Sequence, residues 1–114
     1  MAQRIATYEE FWPYYLREHA DPLTRRVHVL GTLLGIGLFL AGLVTMRWWL
    51  MPAGIVSGYL FAWVSHMTIE RNRPATFSHP LWSLGSDLRM AWLFLTGRLE
   101  EELRRAGVDP TARR

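Results

Sequence analysis

VHVLGTLLGIGLFLAGLVTM (Val27–Met46), RWWLM (Arg47–Met51) and PAGIVSGYLFAWVSHMTI (Pro52–Ile69) follow one another without a gap, and this stretch decides the fold. Across it, Arg47 is the only Asp, Glu, Lys or Arg. The twenty residues from Val27 to Met46 reach roughly 30 Å as a helix, the thickness of a bilayer core. Asp21 is a helix-capping residue and Pro22 suits the first helical position, so the first span is predicted over 22–46. Trp48 and Trp49 mark the far interface. Pro52 opens a second span, predicted over 52–69. The link between them is short, so the spans are expected to form an antiparallel hairpin.

That hairpin places the histidines. His28 lies at the start of the first span and His66 near the end of the second, so antiparallel packing brings them together. His19 precedes the first span and His79 follows the second, which puts all four on one membrane side. Gly31 and Gly35 share a face with His28, while Gly54, Gly58, Ala62 and His66 recur every four residues. Small residues let helix backbones approach closely, and the two stripes predict a common seam. Arg4, Arg17, Arg25, Arg26, Arg71 and Arg73 flank the histidine side, against Arg47 alone at the turn. The positive-inside rule makes the histidine face cytoplasmic.

Working outward, residues 7–19 read as a short amphipathic helix lying in the interface, with Thr7 and Glu10 as a capping box. Pro13 predicts that the regular helix starts only at Trp12. A third helix is expected over 80–96, carrying Asp87 and Arg89 at an undefined depth. Residues 97–114 read as a charged tail, with a surface helix ending near Gly107. The expected fold is all-α: one small integral membrane helical bundle spanning residues 1–114, with a transmembrane hairpin, an N-terminal interfacial helix and a third, C-terminal helix.

Composition removes several functions. The 114 residues leave room for one domain. There is no cysteine, hence no disulfide framework and no thiolate metal site. The net charge of +3 is too diffuse to point to nucleic acid. No cleavage pattern of a signal peptide precedes the first apolar stretch. The sequence has no glycine-rich phosphate loop, no HExxH and no nucleophile elbow.

What remains is the histidines. Neutral imidazole is a common ligand of zinc and iron, and His19, His28, His66 and His79 are the candidate metal ligands. Glu70 stands four residues after His66, and Asp87 is an acid in a membrane-proximal helix. Both are candidate catalytic or ligand-orienting carboxylates. Asp87 is expected to face the bundle interior and to hydrogen-bond a ligand histidine or an arginine, since a carboxylate towards lipid is costly.

Two segments carry a resemblance. YYLREHADPLTRRVHVLGT (Tyr14–Thr32) resembles the first signature of the 2-hydroxy fatty acid dioxygenase family: an aromatic stretch, YL-x-EH, then an arginine and a histidine before a glycine-bearing membrane helix. SHMTIERNRPATFSHPLWSL (Ser65–Leu84) is similar to the second, with Ser65, His66 and Met67 where the family has a GHF-like sequence. The run Asn72-Arg73-Pro74-Ala75-Thr76-Phe77 is specific to it, and the resemblance extends from about Phe11 to Leu95. It implies a small bacterial-type membrane enzyme of fatty acid α-oxidation, placed in the inner membrane. Such an enzyme would use ferrous iron, Fe(2+), and molecular oxygen to shorten a 2-hydroxy fatty acid by one carbon. The implied ligands are the same four histidines. A 2-hydroxy carboxylate chelates iron through two oxygens, and Arg25 or Arg73 would bind its carboxylate through a guanidinium fork. The implied partners are the lipid bilayer, the fatty acid and oxygen; an oligomer is compatible with the pattern. A zinc-dependent membrane hydrolase, or a non-catalytic metal-binding membrane module, would use the same histidines.

Overall fold

The computed structural model describes residues 5–73 and 78–111. Arg4, the segment Pro74 to Phe77 and the last three residues of the predicted tail lie outside the described residues. Among the described residues all regular structure is helical: α1 (Tyr8–Arg17), α2 (Pro22–Thr45), α3 (Leu50–Ser65), a π-helical turn (His66–Glu70), α4 (Pro80–Leu95) and α5 (Leu99–Arg105).

Local chemistry sets the ends. The Thr7 hydroxyl accepts from the Glu10 N–H at 3.3 Å, and the Phe11 N–H reaches the Thr7 carbonyl at 3.0 Å. This start holds α1 from Tyr8 onward with Pro13 inside it, so the helix does not wait for Trp12. The Glu10 carboxylate accepts from the Ala6 N–H, not the Thr7 N–H, so the capping box is only half built. Asp21 caps α2 through the Leu23 N–H at 2.8 Å, with Pro22 in the first turn. Met46, left-handed at φ 57°, ends α2. The Leu50 N–H bonds the Arg47 carbonyl, so α3 begins at Leu50, two residues before Pro52.

Glycines fix the α2–α3 contact. A Cβ on Gly35 would stand 2.7 Å from the Gly54 carbonyl oxygen, and one on Gly54 would stand 2.5 Å from that of Gly35. A Cβ on Gly31 would overlap Phe61, and Gly42 lies against Leu50 and Met51. The contacts run in opposite order along the two chains, so α2 and α3 pack antiparallel with backbones nearly touching. By length and composition α2 is the one helix among those described that is able to cross a membrane, with mean hydropathy 2.2. At 16 residues α3 is shorter.

The hydrophobic core lies at the other end of the molecule. Phe11, Trp12, Tyr15 and Leu16 of α1 meet Met90 and Ala91 of α4 and Val29 of α2. Thus α1 packs its apolar face into the core. The tail departs from the solvated helix expected of it. Leu99, Leu103 and Ala106, spaced four and then three apart, turn one face of α5 into the same core. Gly107 (φ 84°) and the Val108 N–H to Leu103 carbonyl bond at 2.8 Å close it in a Schellman motif. On its outer side Arg89 stacks 4.1 Å over Trp12 and pairs with Glu102 at 3.3 Å.

Candidate metal centre

Three histidines meet where α1, α2 and the π-helical turn converge. His19 comes from the turn after α1, His28 from the second turn of α2, and His66 from the first position of the π-helical turn. All three are buried, at 0%, 3% and 2% exposure. Each offers a ring nitrogen within 4.8 Å of the others.

Hydrogen bonds fix two of the tautomers. His19 Nδ1 lies 2.7 Å from the Tyr15 carbonyl oxygen, which can only accept, so Nδ1 carries the proton. His66 Nδ1 lies 2.7 Å from Asn72 Oδ1. The Asn72 amide donates its Nδ2–H to the Glu18 carbonyl at 3.1 Å, which turns Oδ1 towards the ring. His66 Nδ1 is therefore also protonated. Both Nε2 atoms are left as lone pairs, and they face each other at 2.9 Å. Two bare lone pairs at that distance repel unless a cation lies between or beside them. A proton is a poor choice, because burial first, then His28 and His66, hold the His19 imidazolium well below its ordinary range. A metal ion answers the problem. Two imidazole nitrogens each about 2.0–2.1 Å from one ion stand roughly 2.9–3.4 Å apart at the usual bond angles. Among the described residues the buried His28 Nδ1 has no hydrogen-bond partner, as suits a ligand nitrogen.

The π-helical turn explains His66. It widens the chain by one residue per turn, and Arg71 leaves it left-handed at φ 57°. The Asn72 N–H then returns to the His66 carbonyl at 2.9 Å, which sets the Asn72 side chain under the ring. Tyr15 has two tasks. Its carbonyl orients His19, and its hydroxyl donates to Asp87 Oδ1 at 2.6 Å. Asp87 is buried and its Oδ1 also lies 3.3 Å from His28 Nε2. Burial pushes the Asp87 carboxyl up to about 7, against the Tyr15 hydrogen bond, which favours the carboxylate. The same burial, with Asp87 beside it, pushes the Tyr15 phenol well up.

The other expected site residues are placed elsewhere. His79 does not join the cluster. It stands at the N-cap position of α4 without a side-chain cap bond, shares a hydrogen bond with Ser78 Oγ at 2.8 Å, and stacks on Trp82 at 5.5 Å, with Phe11 at 5.2 Å on another side. Glu70 accepts from the Asp21 N–H, tying the π-helical turn to the start of α2. Arg25 is 5% exposed and is spent on backbone: it donates to the carbonyls of His19 (2.8 Å), Ala20 (2.9 Å) and Pro110 (2.6 Å). It holds the His19 turn in place, which is a different task from clamping a substrate carboxylate. Arg73 is exposed. Tyr15 and Asn72 carry roles that the sequence pattern did not single out.

Fold and site together define a small all-α protein with a buried three-histidine cluster able to hold a metal ion. The chain belongs to the Mpo1-like family, described as 2-hydroxy-palmitic acid dioxygenase Mpo1-like, whose model matches residues 5–99. No curated protein and no solved structure matches the chain.

Proposed function

We propose that the chain is an iron-dependent membrane dioxygenase that converts a 2-hydroxy fatty acid to the acid one carbon shorter. The observation that carries this reading is the pair of facing Nε2 lone pairs of His19 and His66, 2.9 Å apart beside His28. The family description supplies the reaction class. An all-nitrogen, thiolate-free donor set suits ferrous iron that must keep open positions. The balanced reaction is R–CH(OH)–COOH + O2 → R–COOH + CO2 + H2O, in which the acid gives up four electrons and oxygen takes them.

Iron bound by His19, His28 and His66 supplies the redox chemistry with oxygen that no side chain here provides. The protein's residues do the rest. Tyr15 and Asn72 hold the ring protons of His19 and His66 on Nδ1, so both Nε2 atoms point inward. Asp87, poised near neutrality beside His28, would take the proton of the substrate's hydroxyl at its carboxylate. Arg73, exposed one residue beyond Asn72, would pair with the substrate carboxylate through its guanidinium fork.

The membrane reading rests on the outer faces of α2 and α3. Only 22% of the most apolar window of α2 is buried inside the molecule, whereas a soluble core helix would be mostly covered. Leu30, Leu43, Val44, Val56, Leu60 and Val64 all face outward. A bilayer around both helices satisfies these side chains, and Trp48 and Trp49 then sit at the far interface. The metal centre lies at the opposite end, on the arginine-rich and hence cytoplasmic side.

Metal analysis of protein purified without oxygen tests the reading. About one ferrous ion per chain, absent after His66→Ala, is expected. Zinc in its place, with turnover that needs no oxygen, would make the protein a hydrolase instead.

A further inference from the structure

An apolar trough of about 350 Å³ runs between α2, α3 and α4. Its floor is Gly35, Gly54 and Gly58, where the two backbones come together. Ile36, Phe39, Ile55, Leu84 and Leu88 form its walls. One carboxyl group lines it, that of Asp87, the residue whose Oδ1 lies 3.3 Å from His28 Nε2. Thr32, one turn beyond His28, and Tyr59, next to the Gly58 that packs against Gly31, also line it, so its polar groups gather towards the histidine cluster and Phe39, Leu40 and Ile55 leave the other end apolar. We propose that this trough is the acyl-tail subsite, holding a single aliphatic chain whose head reaches the histidine cluster past Asp87. This rests on the proposed function and adds to it the place of the tail and the residues that set its length.

The direction follows from polarity. A carboxylate or hydroxyl at the far end, among Phe39, Leu40 and Ile55, would meet no polar lining group and would be left unsatisfied. The head must lie at Asp87. One tail fits better than two, because the floor is a single groove between two helices. Its length follows from α2. Thr32 and Leu40 are its extreme residues on that helix, about 12 Å apart along the axis. An extended chain advances roughly 1.2 Å per bond, so the trough takes about ten methylenes. The volume falls in the roughly 300–1,000 Å³ range of small-molecule sites.

Gly58 gives a clean probe. A Cβ there would meet only the Gly31 carbonyl oxygen at 3.6 Å, an ordinary contact, so Gly58→Ala narrows the trough without pushing the helices apart. Ile55→Trp narrows it from the open side, and Val56→Trp, on an exposed residue next to it that does not line the trough, is the control.

The test uses the full chain in nanodiscs with a 2-hydroxy acid of sixteen-carbon type bearing a diazirine near the tail end. Photolabelling is mapped by mass spectrometry with and without iron. Labels are expected on Phe39, Leu40 and Ile55, at the end away from Asp87, reduced at least fivefold by Gly58→Ala or Ile55→Trp and unchanged by Val56→Trp. In turnover with acids of graded length, the two trough variants should shift the preferred chain shorter. Labels spread evenly over Leu30, Val44, Val64 and Trp92, as for bulk lipid, would overturn the subsite even if turnover is seen. Trough labelling without any turnover would leave the subsite standing and remove the dioxygenase reading.

Discussion

His19 and His66 meet Nε2 to Nε2 at 2.9 Å, and each has its Nδ1 held by an oxygen acceptor. The two rings come from segments 47 residues apart. The acceptors differ in kind: a backbone carbonyl from α1 for His19, and a side-chain amide from beyond the π-helical turn for His66. Both leave the same result, a lone pair turned to the centre. This is the arrangement by which a protein orients ligand imidazoles before a metal arrives.

The cluster distinguishes among the four histidines. Alanine at His19, His28 or His66 should weaken metal binding by more than about 100-fold, beyond the roughly 10–100-fold seen for outer partners. His79→Ala should leave metal stoichiometry unchanged, since His79 is stacked on Trp82. Metal content after equilibrium dialysis measures both. Equal loss in all four variants would bring His79 back into the centre.

Asn72 sets the tautomer of His66, so removing its carbonyl oxygen matters more than removing its bulk. Asn72→Leu should lower metal affinity by about 10–100-fold, while Asn72→Asp, which keeps an acceptor, should stay within a few-fold of the parent. Competition titration against a chelator reads the difference. Parallel losses in the two variants would assign Asn72 to packing alone.

Asp87 gives a pH signature. Burial raises its carboxyl to about 7 from 3.8. Between those values the folded protein holds a proton that the unfolded chain has released. Stability from this group is therefore whole below about pH 4 and falls as pH rises towards 7, by at most about 1.4 kcal/mol per pH unit. Asp87→Asn lacks the effect. Denaturant unfolding of metal-free protein at pH 5 and pH 7.5 should show the parent losing ground to the variant. Parallel behaviour would mean that the carboxyl is ionised in the fold throughout.

The docked tail is a stability element. Leu103 is 1% exposed in the core shared by α1, α4 and α5. Leu103→Ala should cost about 2–5 kcal/mol, visible as a lowered Tm, while Leu95→Ala, at an exposed position, should change little. Near-equal effects would place α5 on the surface.

These features were unevenly legible in the sequence. Asp21-Pro22 marks the start of α2 because capping and proline act locally, and the glycine stripes mark the α2–α3 contact because close approach needs small residues. His19, His28 and His66 follow from helix order alone. His79 did not follow, because nothing in the spacing tells which way a loop histidine turns, and stacking on Trp82 decided it. Asn72 was hidden for another reason. Six residues after His66, it would sit about 120° round an α-helix from it, and only the π-helical turn with left-handed Arg71 swings it under the ring. Arg25 looked like a substrate clamp because its type fits a carboxylate; its carbonyl partners His19, Ala20 and Pro110 are set by tertiary structure. In α5 the charge run Glu100 to Glu102 masked the apolar face of Leu99 and Leu103.

The most direct test is the ratio of oxygen consumed to acid shortened. Protein loaded anaerobically with ferrous iron is given a 2-hydroxy fatty acid and then measured oxygen. One oxygen molecule should disappear for each acid shortened by one carbon, with one carbon dioxide released, and no shortening should occur before oxygen enters or in His19→Ala protein. Shortening without oxygen, or at full rate with zinc in place of iron, would contradict the three-histidine iron centre as the seat of the reaction.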